Sequence, residues 1–208
     1  MHHYTIHRLR QSGLTLVEML VVIAIVMVVA AILLFKYGDF VSNVSIRGLT
    51  QQVALTIRKG QTYATSARTV GTFSTENFSS YGVAFSTDQE SDDLKNRLAP
   101  SDKRFIIFAD INGNKRYDNN SASCGVPIDG NECVEALSIT SSDRIGSIDV
   151  DAISPSGVTI MFNRPVSDAT IYADKSATPA SFTKIHLVSI KNVTKTITVW
   201  NTGQISVE

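Results

Sequence analysis

The sequence lacks a charge excess of either sign. Its 208 residues contain 19 Lys and Arg against 19 Asp and Glu, for a formal net charge of +0 at pH 7. Without a basic field, the chain has no general attraction for phosphate backbones, so nucleic acid is not expected as its main partner. Charged residues make up only 18% of the chain against 43% hydrophobic residues, which excludes a disordered protein. The length fits one globular domain with an appendage, or at most two small domains.

Residue patterns typical of enzymes are also missing. Three of the four His lie within residues 1–13, and the fourth, His186, lies in a predicted strand where alternation turns it towards solvent. No Ser or Cys has a His partner in a recognised order, and no glycine-rich phosphate loop follows a strand. Asp149 and Asp151 resemble a carboxylate pair, but their spacing is typical of an exposed strand edge. The sequence therefore predicts a protein that is not an enzyme.

Cysteine is scarce, with only Cys124 and Cys133 in the chain. Two thiolates do not complete a tetrahedral zinc site, and no His lies nearby in the sequence. In an exported domain, a close pair within a loop is most simply a disulfide, whereas in the cytosol the two thiols would be free. We predict a Cys124–Cys133 disulfide because the N-terminus indicates export.

What the chain does have is a long apolar run near its start, from Leu14 to Phe35. About 20 apolar residues in a helix cross the roughly 30 Å hydrocarbon core of a bilayer, so this run is long enough. Residues 1–13 precede it with Arg8, Arg10 and no acid, which predicts a cytoplasmic start and a main domain across the membrane. The run is too long for an ordinary secretory signal, which leaves a plain signal anchor as the simplest alternative.

Glu18 is an exception within this apolar run. A charged residue at the centre of a membrane helix costs about 2.5 kcal/mol or more, so such a residue is a functional candidate that needs a cationic partner. Cleavage after Gly13 would create an α-amino group on Leu14, one helical turn from Glu18 or within reach of it in a neighbouring chain. That pairing would neutralise both charges.

The segment Gly13–Glu18 (GLTLVE) resembles the prepilin signature of type IV pilin-like proteins. That signature is a short basic leader ending in Gly, then a hydrophobic residue, Thr-Leu, and Glu at the fifth mature position. The resemblance implies that a prepilin peptidase cleaves after Gly13 and N-methylates Leu14. It also implies that Glu18 pairs with a neighbouring subunit's terminal amine during assembly. Leu14 departs from the Phe that is commoner there.

After Phe35 the pattern becomes amphipathic. Four apolar residues share one helix face: Ile46, Leu49, Val53 and Ile57. We predict one helix from Leu14 to about Ala67, with residues 14–35 in the membrane and residues 36–68 packed on a sheet. Each Gly in a helix costs about 1 kcal/mol relative to Ala, so two helices broken near Gly38 are the alternative.

Residues 69–208 have the composition of a β-domain. Five segments are rich in β-branched and aromatic residues: Tyr81–Phe85, Arg104–Phe108, Val158–Phe162, Lys184–Ile190 and Thr196–Trp200. Gln204–Val207 is predicted to form a hairpin with the last of them, and residues 69–80, 86–103 and 172–183 are predicted loops. The predicted fold is α+β: a long N-terminal helix, its first half transmembrane, packed on a C-terminal antiparallel sheet, as in the pilin fold.

The order of helix, YGVAF strand, FIIFADINGN segment, Ser-Pro-Ser-Gly turn and final hairpin resembles the GspH/FimT family of pseudopilins and minor pilins. The resemblance implies a minor subunit of a type IV pilus or type II secretion pseudopilus. It would sit in the bacterial inner membrane, with its β-domain periplasmic or extracellular, before assembly. The implied partners are other pilins or pseudopilins, prepilin peptidase and the inner-membrane assembly platform. The alternatives are a DNA-binding FimT-like minor pilin for DNA uptake and a plain membrane-anchored periplasmic binding domain.

Some FimT-like minor pilins bind DNA through an Arg-rich motif near the C-terminus, but this chain has no Arg after Arg164. Three Lys could form a basic patch, although a solvated strand face explains them equally well: Lys184, Lys191 and Lys195. Removing the leader's two Arg leaves 17 basic against 19 acidic residues, a net charge of −2, which disfavours binding to phosphates.

A loop after the second predicted strand has the spacing of a calcium site. Positions 1, 3, 5 and 9 of such a loop match four residues: Asp110, Asn112, Asn114 and Asp118. However, Lys115 stands where the invariant Gly belongs, and Ser121 where a bidentate Glu belongs. We therefore favour an Asx-rich turn that caps its own backbone, with calcium as the alternative ligand.

Overall fold

The computed structural model describes residues 15–66, 80–89, 99–118, 124–125, 132–163 and 167–208. In chain order, the helix and strands of these residues are α1 (Leu16–Thr65), β1 (Ser80–Ser86), β2 (Arg104–Asp110), β3 (Cys133–Ser138), β4 (Arg144–Val150), β5 (Gly157–Phe162), β6 (Ala169–Ala173), β7 (Pro179–Ala180), β8 (Phe182–Val188), β9 (Thr194–Trp200) and β10 (Ile205–Val207). The chain divides into two compact units, residues 1–41 and 42–208, which are described separately. The predicted α+β arrangement is confirmed.

The first unit consists, in its described part, of the apolar start of α1. Residues 16–41 are exposed throughout, although most of them are Val, Ile, Leu, Met or Ala. The helix is long and apolar enough to cross a membrane. It continues through Gly38 without a break, so the alternative of two separate helices is wrong.

The second unit begins with the amphipathic part of α1. The predicted stripe of Ile46, Leu49, Val53 and Ile57 is buried in the core. Gly60 lies on the same face, where an added Cβ would come within 2.8 Å of Val83 Cγ2. Gly60 therefore weakens the helix locally but lets it approach β1 closely.

The strands form two antiparallel sheets where a single sheet was predicted. The six-stranded sheet has the order β3-β2-β1-β5-β6-β7, and the four-stranded sheet the order β10-β9-β8-β4. The main core contains the buried face of α1 and apolar side chains from both sheets. A second cluster, which includes Phe108, Cys133, Met161 and Tyr172, covers the other face of the larger sheet, with Tyr117 packed against it. The central strands of that sheet are therefore buried on both faces.

The predicted loop at 172–183 is wrong. It contains the end of β6, all of β7 and the start of β8. β7 is a two-residue edge strand that contains Pro179 and, among the described strands, pairs only with β6; proline is tolerated at such edges. In the predicted loop at 86–103, Ser86 is the last residue of β1. Residues 90–98 of that loop lie outside the described residues, as do residues 69–79 of the first predicted loop.

Candidate functional site

The described chain begins with a capped helix start. Thr15 Oγ1 accepts a hydrogen bond from the Glu18 backbone N at 3.2 Å, and α1 begins at Leu16. Thr15 is therefore the N-cap, and Glu18 occupies the third helical position, where the Thr-x-x-Glu sequence pattern of a capping box has its acid. A carboxylate there also interacts favourably with the positive end of the helix dipole. Gly13 and Leu14, the predicted cleavage and methylation site, lie outside the described residues.

The predicted disulfide is present in the second unit. Cys124 and Cys133 are bonded, with their Cα atoms 4.8 Å apart, and Cys133 is the buried first residue of β3. The bridge fastens the chain after the 110–118 loop to the edge of the larger sheet. It also fixes the position of the residue that precedes Cys133, which is Glu132.

The 110–118 loop forms Asx turns. Asp110 accepts the backbone N–H groups of Gly113 at 2.8 Å and Lys115 at 3.1 Å. Asn112 Oδ1 accepts the backbone N–H of Asn114 at 2.9 Å, and Asn114 Oδ1 accepts that of Arg116 at 2.8 Å. These side chains therefore replace the backbone partners that an irregular loop lacks.

The same groups are poorly arranged for calcium. Asn112 and Asn114 both direct their amide nitrogens at Asp118 Oδ2, at 2.7 and 2.5 Å, and nitrogens of this kind do not bind calcium. Among the described residues, no group of three or more His, Cys, Asp or Glu is placed to hold a metal ion. In this arrangement of the side chains, the donor set does not fit calcium. Calcium binding by the loop, the alternative given above, stays an untested prediction.

Glu132 lies outside the 110–118 loop in the sequence but holds it by direct hydrogen bonds. This role was not predicted from the sequence. The Glu132 side chain accepts the backbone N–H of Ile111 at 2.9 Å and of Asp118 at 3.0 Å, and the residue is 1% exposed. Burial raises the pKa of Glu132, and the nearby charge of Asp110 raises it further. Burial likewise raises the pKa of Asp110. The only sequence signal for this role is an acid directly before a cysteine.

His186 lies on the sheet face opposite the buried Ile185 and Leu187, but it does not point freely into solvent as predicted. Its Nδ1 is 3.0 Å from Thr196 Oγ1, and its Nε2 is 3.0 Å from Asp149 Oδ2. Three neighbouring strands therefore place a carboxylate, an imidazole and a hydroxyl in line. Hydrogen bonds from Ser154 and then from His186 lower the pKa of Asp149.

Asp149 and Asp151 do not form a working pair. Asp151 has a φ of 51°. Its Oδ1 accepts the backbone N–H of Ser181 at 3.0 Å and that of Phe182 at 3.1 Å. Because Asp149 is engaged by His186 and Ser154, the two carboxylates serve separate structural partners.

The three candidate Lys residues do not form one patch. Lys195 pairs with Leu187 of the neighbouring strand, so it lies on the sheet face that carries the buried Leu187, near the start of β9. Lys184 pairs with Thr198 and lies on the opposite face, while Lys191 lies in the turn between β8 and β9. No single strand face therefore presents all three to a nucleic acid.

One comparison with known proteins gave a match. The prokaryotic N-terminal methylation motif matches residues 8–34, which include the Gly13–Leu14 bond and Glu18. No curated protein and no solved structure showed a significant match to the chain. Because the match is confined to the N-terminus, the GspH/FimT assignment is not confirmed. The chain carries a type IV pilin-like prepilin signal.

Proposed function

We propose that the chain is a minor pilin or pseudopilin, a structural subunit of a type IV pilus or a type II secretion pseudopilus. The observation that carries this proposal is the joining, in one helix, of a prepilin signal to a folded β-domain. α1 begins within the residues that match the methylation motif and ends in the core of the second unit. A subunit built in this way is held in the membrane first and in a filament afterwards.

The apolar start of α1 supplies the driving force for both states. Its exposed side chains include Leu20, Ile25 and Leu33, and apolar surface is stabilised by about 25 cal/mol for each Å² removed from water. The bilayer provides that environment before assembly, and the helices of neighbouring pilins provide it afterwards. Glu18 then selects the docked position, because a neighbour's terminal amine neutralises its charge there.

The leader controls the order of these events. While residues 1–13 remain, position 14 has no free amine, so Glu18 has no partner of this kind. Cleavage after Gly13 by prepilin peptidase creates the partner, and the subunit becomes competent to assemble through the inner-membrane platform. The β-domain is then carried outwards on the filament.

The test is the N-terminal sequence and intact mass of the full chain produced with and without prepilin peptidase. We expect a start at N-methylated Leu14 only when the peptidase is present, and a Gly13→Val variant that stays intact in both cases. The cleaved chain should then be recovered with sheared filaments of a piliated or secreting host. A Met1 start under both conditions would instead identify a plain membrane-anchored β-domain.

A further inference from the structure

The face of the six-stranded sheet that carries Tyr172 contains a hollow. Ala84 pairs with Thr159, and Thr159 pairs with Tyr172, so these three residues form one row across β1, β5 and β6. Residues that pair across neighbouring strands point to the same face of a sheet, so the three side chains lie side by side. In the next row of that face, Ser86 pairs with Gly157, which has no side chain. Small residues in two neighbouring rows therefore leave space beside the larger Tyr172.

The 110–118 loop forms one wall of this hollow. Arg116 Nη1 lies 3.7 Å from Asp174 Oδ1, and Arg116 Nη2 donates to the backbone O of Ser176 at 3.3 Å, which joins the loop to the chain just after β6. Glu132 holds the same loop near the end of β2. We call the space between this loop and the row described above the loop cleft. Its volume is about 310 Å³, at the small end of the roughly 300–1,000 Å³ range of ligand sites, so it suits one small ligand unit.

Among the described residues, a buried hydroxyl that borders the loop cleft lacks a partner. Tyr172 lines the cleft and is only 8% exposed, yet no described residue forms a hydrogen bond with its hydroxyl. The same is true of the hydroxyl of Thr159, its neighbour in the row. Buried polar groups in native proteins are nearly always paired, so an unpaired one beside a cavity indicates a bound molecule there. Lys115 Nζ lies 5.6 Å from the centre of the Tyr172 ring, so a cation already covers the ring from one side.

The charges around the loop cleft select against ions of either sign. Its described lining contains three acids and one cation: Asp88, Asp118, Asp174 and Arg116. The excess of negative charge disfavours phosphates and carboxylates. A cation would meet Arg116, and it would find acids that already have donors: Asp118 accepts two side-chain amides, and Asp88 accepts the hydroxyl of Ser86 at 3.0 Å. Each carboxylate has about four lone-pair sites, so it can still accept hydroxyl groups from a neutral ligand.

We propose that the loop cleft binds one neutral sugar ring, whose hydroxyls donate to Asp88 and Asp118 and accept from Tyr172 and Arg116. A sugar ring combines several hydroxyl donors with an apolar C–H face, and the cleft offers acceptors together with apolar surface such as that of Pro100. The 110–118 loop then serves as a wall of the site. The described residues of the cleft all belong to the second unit, so the proposal does not depend on assembly into a filament.

The test uses the full chain in micelles of lauryldimethylamine oxide, because a detergent with a sugar headgroup would compete for the site. The probes are the methyl glycosides of glucose, galactose, mannose and N-acetylglucosamine. Saturation-transfer NMR detects binding, and the methyl signal of ¹³C-labelled Ala84, which lines the cleft, reports the position and the affinity. We expect at least one glycoside to bind and to shift the Ala84 signal. Its affinity should be the same at low and high salt, since salt does not screen a neutral ligand.

Tyr172→Phe removes only the hydroxyl that lacks a partner. We expect it to weaken sugar binding about tenfold and to leave thermal unfolding unchanged, because the hydroxyl bonds the ligand and no described residue. The matched control is Thr198→Val, in β9 of the smaller sheet. Thr198 is 4% exposed, and its hydroxyl likewise has no hydrogen-bond partner in the described part of the chain, but it does not line the cleft. Thr198→Val should therefore leave sugar binding unchanged.

A trisaccharide of the bound sugar distinguishes two sources of this ligand. Binding as tight as that of the methyl glycoside indicates the end of a surface glycan, whereas binding of the methyl glycoside alone indicates a free sugar. Failure of all four glycosides to shift the Ala84 signal overturns the proposal. Sugar binding that is equally strong in Tyr172→Phe and Thr198→Val overturns it too. Salt-sensitive binding of lysine amide, without any sugar binding, also overturns it and assigns the cleft to a cationic side chain.

Discussion

The two parts of α1 use apolar residues in opposite ways. Before residue 42, apolar side chains occupy every face of the helix and all are exposed in the isolated chain. From Ser42 onwards, they are concentrated on one face, and that face is buried against the β-domain. Hydrophobicity alone does not separate the two parts, but its distribution around the helix does. The first part requires an apolar environment from outside the chain, whereas the second part finds one within it.

A charge on the buried face of the second part should break this contrast most strongly, and a charge on its exposed face should not. Ile57 is 0% exposed and Leu55 is 65% exposed, two residues apart on the same helix. We expect Ile57→Asp to lower the free energy of unfolding by more than about 4 kcal/mol, because it buries an unpaired charge. Leu55→Asp should change it by less than about 0.5 kcal/mol. Denaturant unfolding of the full chain in detergent measures both, and equal losses would refute the burial pattern.

In the first part, a substitution to Asp at an exposed apolar residue should weaken membrane insertion and leave folding unchanged. Ile25 is 57% exposed, close to the value for Leu55, but it lies in the segment that we assign to the membrane. Ile25→Asp should cost about 3 kcal/mol in membrane insertion and leave the unfolding of the β-domain unchanged. Flotation of the chain with vesicles reports the first quantity and denaturant unfolding the second. If Ile25→Asp and Leu55→Asp float equally well, the two exposed positions have the same environment.

The buried carboxylates of the second unit give a smaller effect that depends on pH. Burial raises the pKa of Glu132 and Asp110, so the folded chain binds more protons than the unfolded chain between the ordinary and the raised values. This contribution to stability is complete below the ordinary values and is lost as the pH rises through the raised ones. The wild-type β-domain should therefore gain stability from these groups as the pH falls from neutral through that window.

Glu132→Gln tests this account directly. The amide would turn an N–H group towards the backbone N–H of Ile111 or of Asp118, so we expect a loss of about 1–3 kcal/mol at pH 7 and a flatter pH profile. The matched control is Glu135→Gln, which removes a partly exposed ion pair with Lys59 and should cost under about 1 kcal/mol. Equal pH profiles for wild type and Glu132→Gln would show that the loop does not depend on this carboxylate.

The strands were predictable where burial on both faces enriches β-branched and aromatic residues, as in β1, β2 and β5. β4 was missed because Gly146 interrupts its alternation at a shift of register between Ile145 and Ser147. Edge strands such as β7 carry too few apolar residues to give a signal. Sequence patterns are local, so strands whose partners compensate for a weak pattern escape them.

The candidate functional residues follow the same rule: those with a local sequence signal could be predicted, and those that depend on non-local contacts could not. Glu18 could be found because a charge within an apolar run is costly wherever the run folds. Glu132 could not be found, because its partners are the backbone N–H groups of residues 111 and 118. A backbone N–H group is the same whatever the side chain, so the sequence gives no sign of it. The contact of His186 with Asp149 likewise depends on the pairing of β4 with β8, and no spacing along the chain encodes that register.

The smallest effect concerns the start of α1, where two explanations of one residue compete. Glu18 has the acid position of a capping-box sequence whose N-cap is Thr15, and it is also the proposed partner of a neighbour's amine. Thr15→Ala removes the N-cap and should cost about 1 kcal/mol of local helix stability, with peptidase cleavage and filament incorporation retained. Glu18→Gln keeps a side chain that a capping box accepts but removes the charge. If Glu18 acts through its charge, Glu18→Gln should be cleaved normally and yet be lost from sheared filaments, as measured by the ratio of filament to membrane signal. If it acts only as a cap, Thr15→Ala should be the more defective of the two, and the apolar start of α1 would then assemble without charge selection.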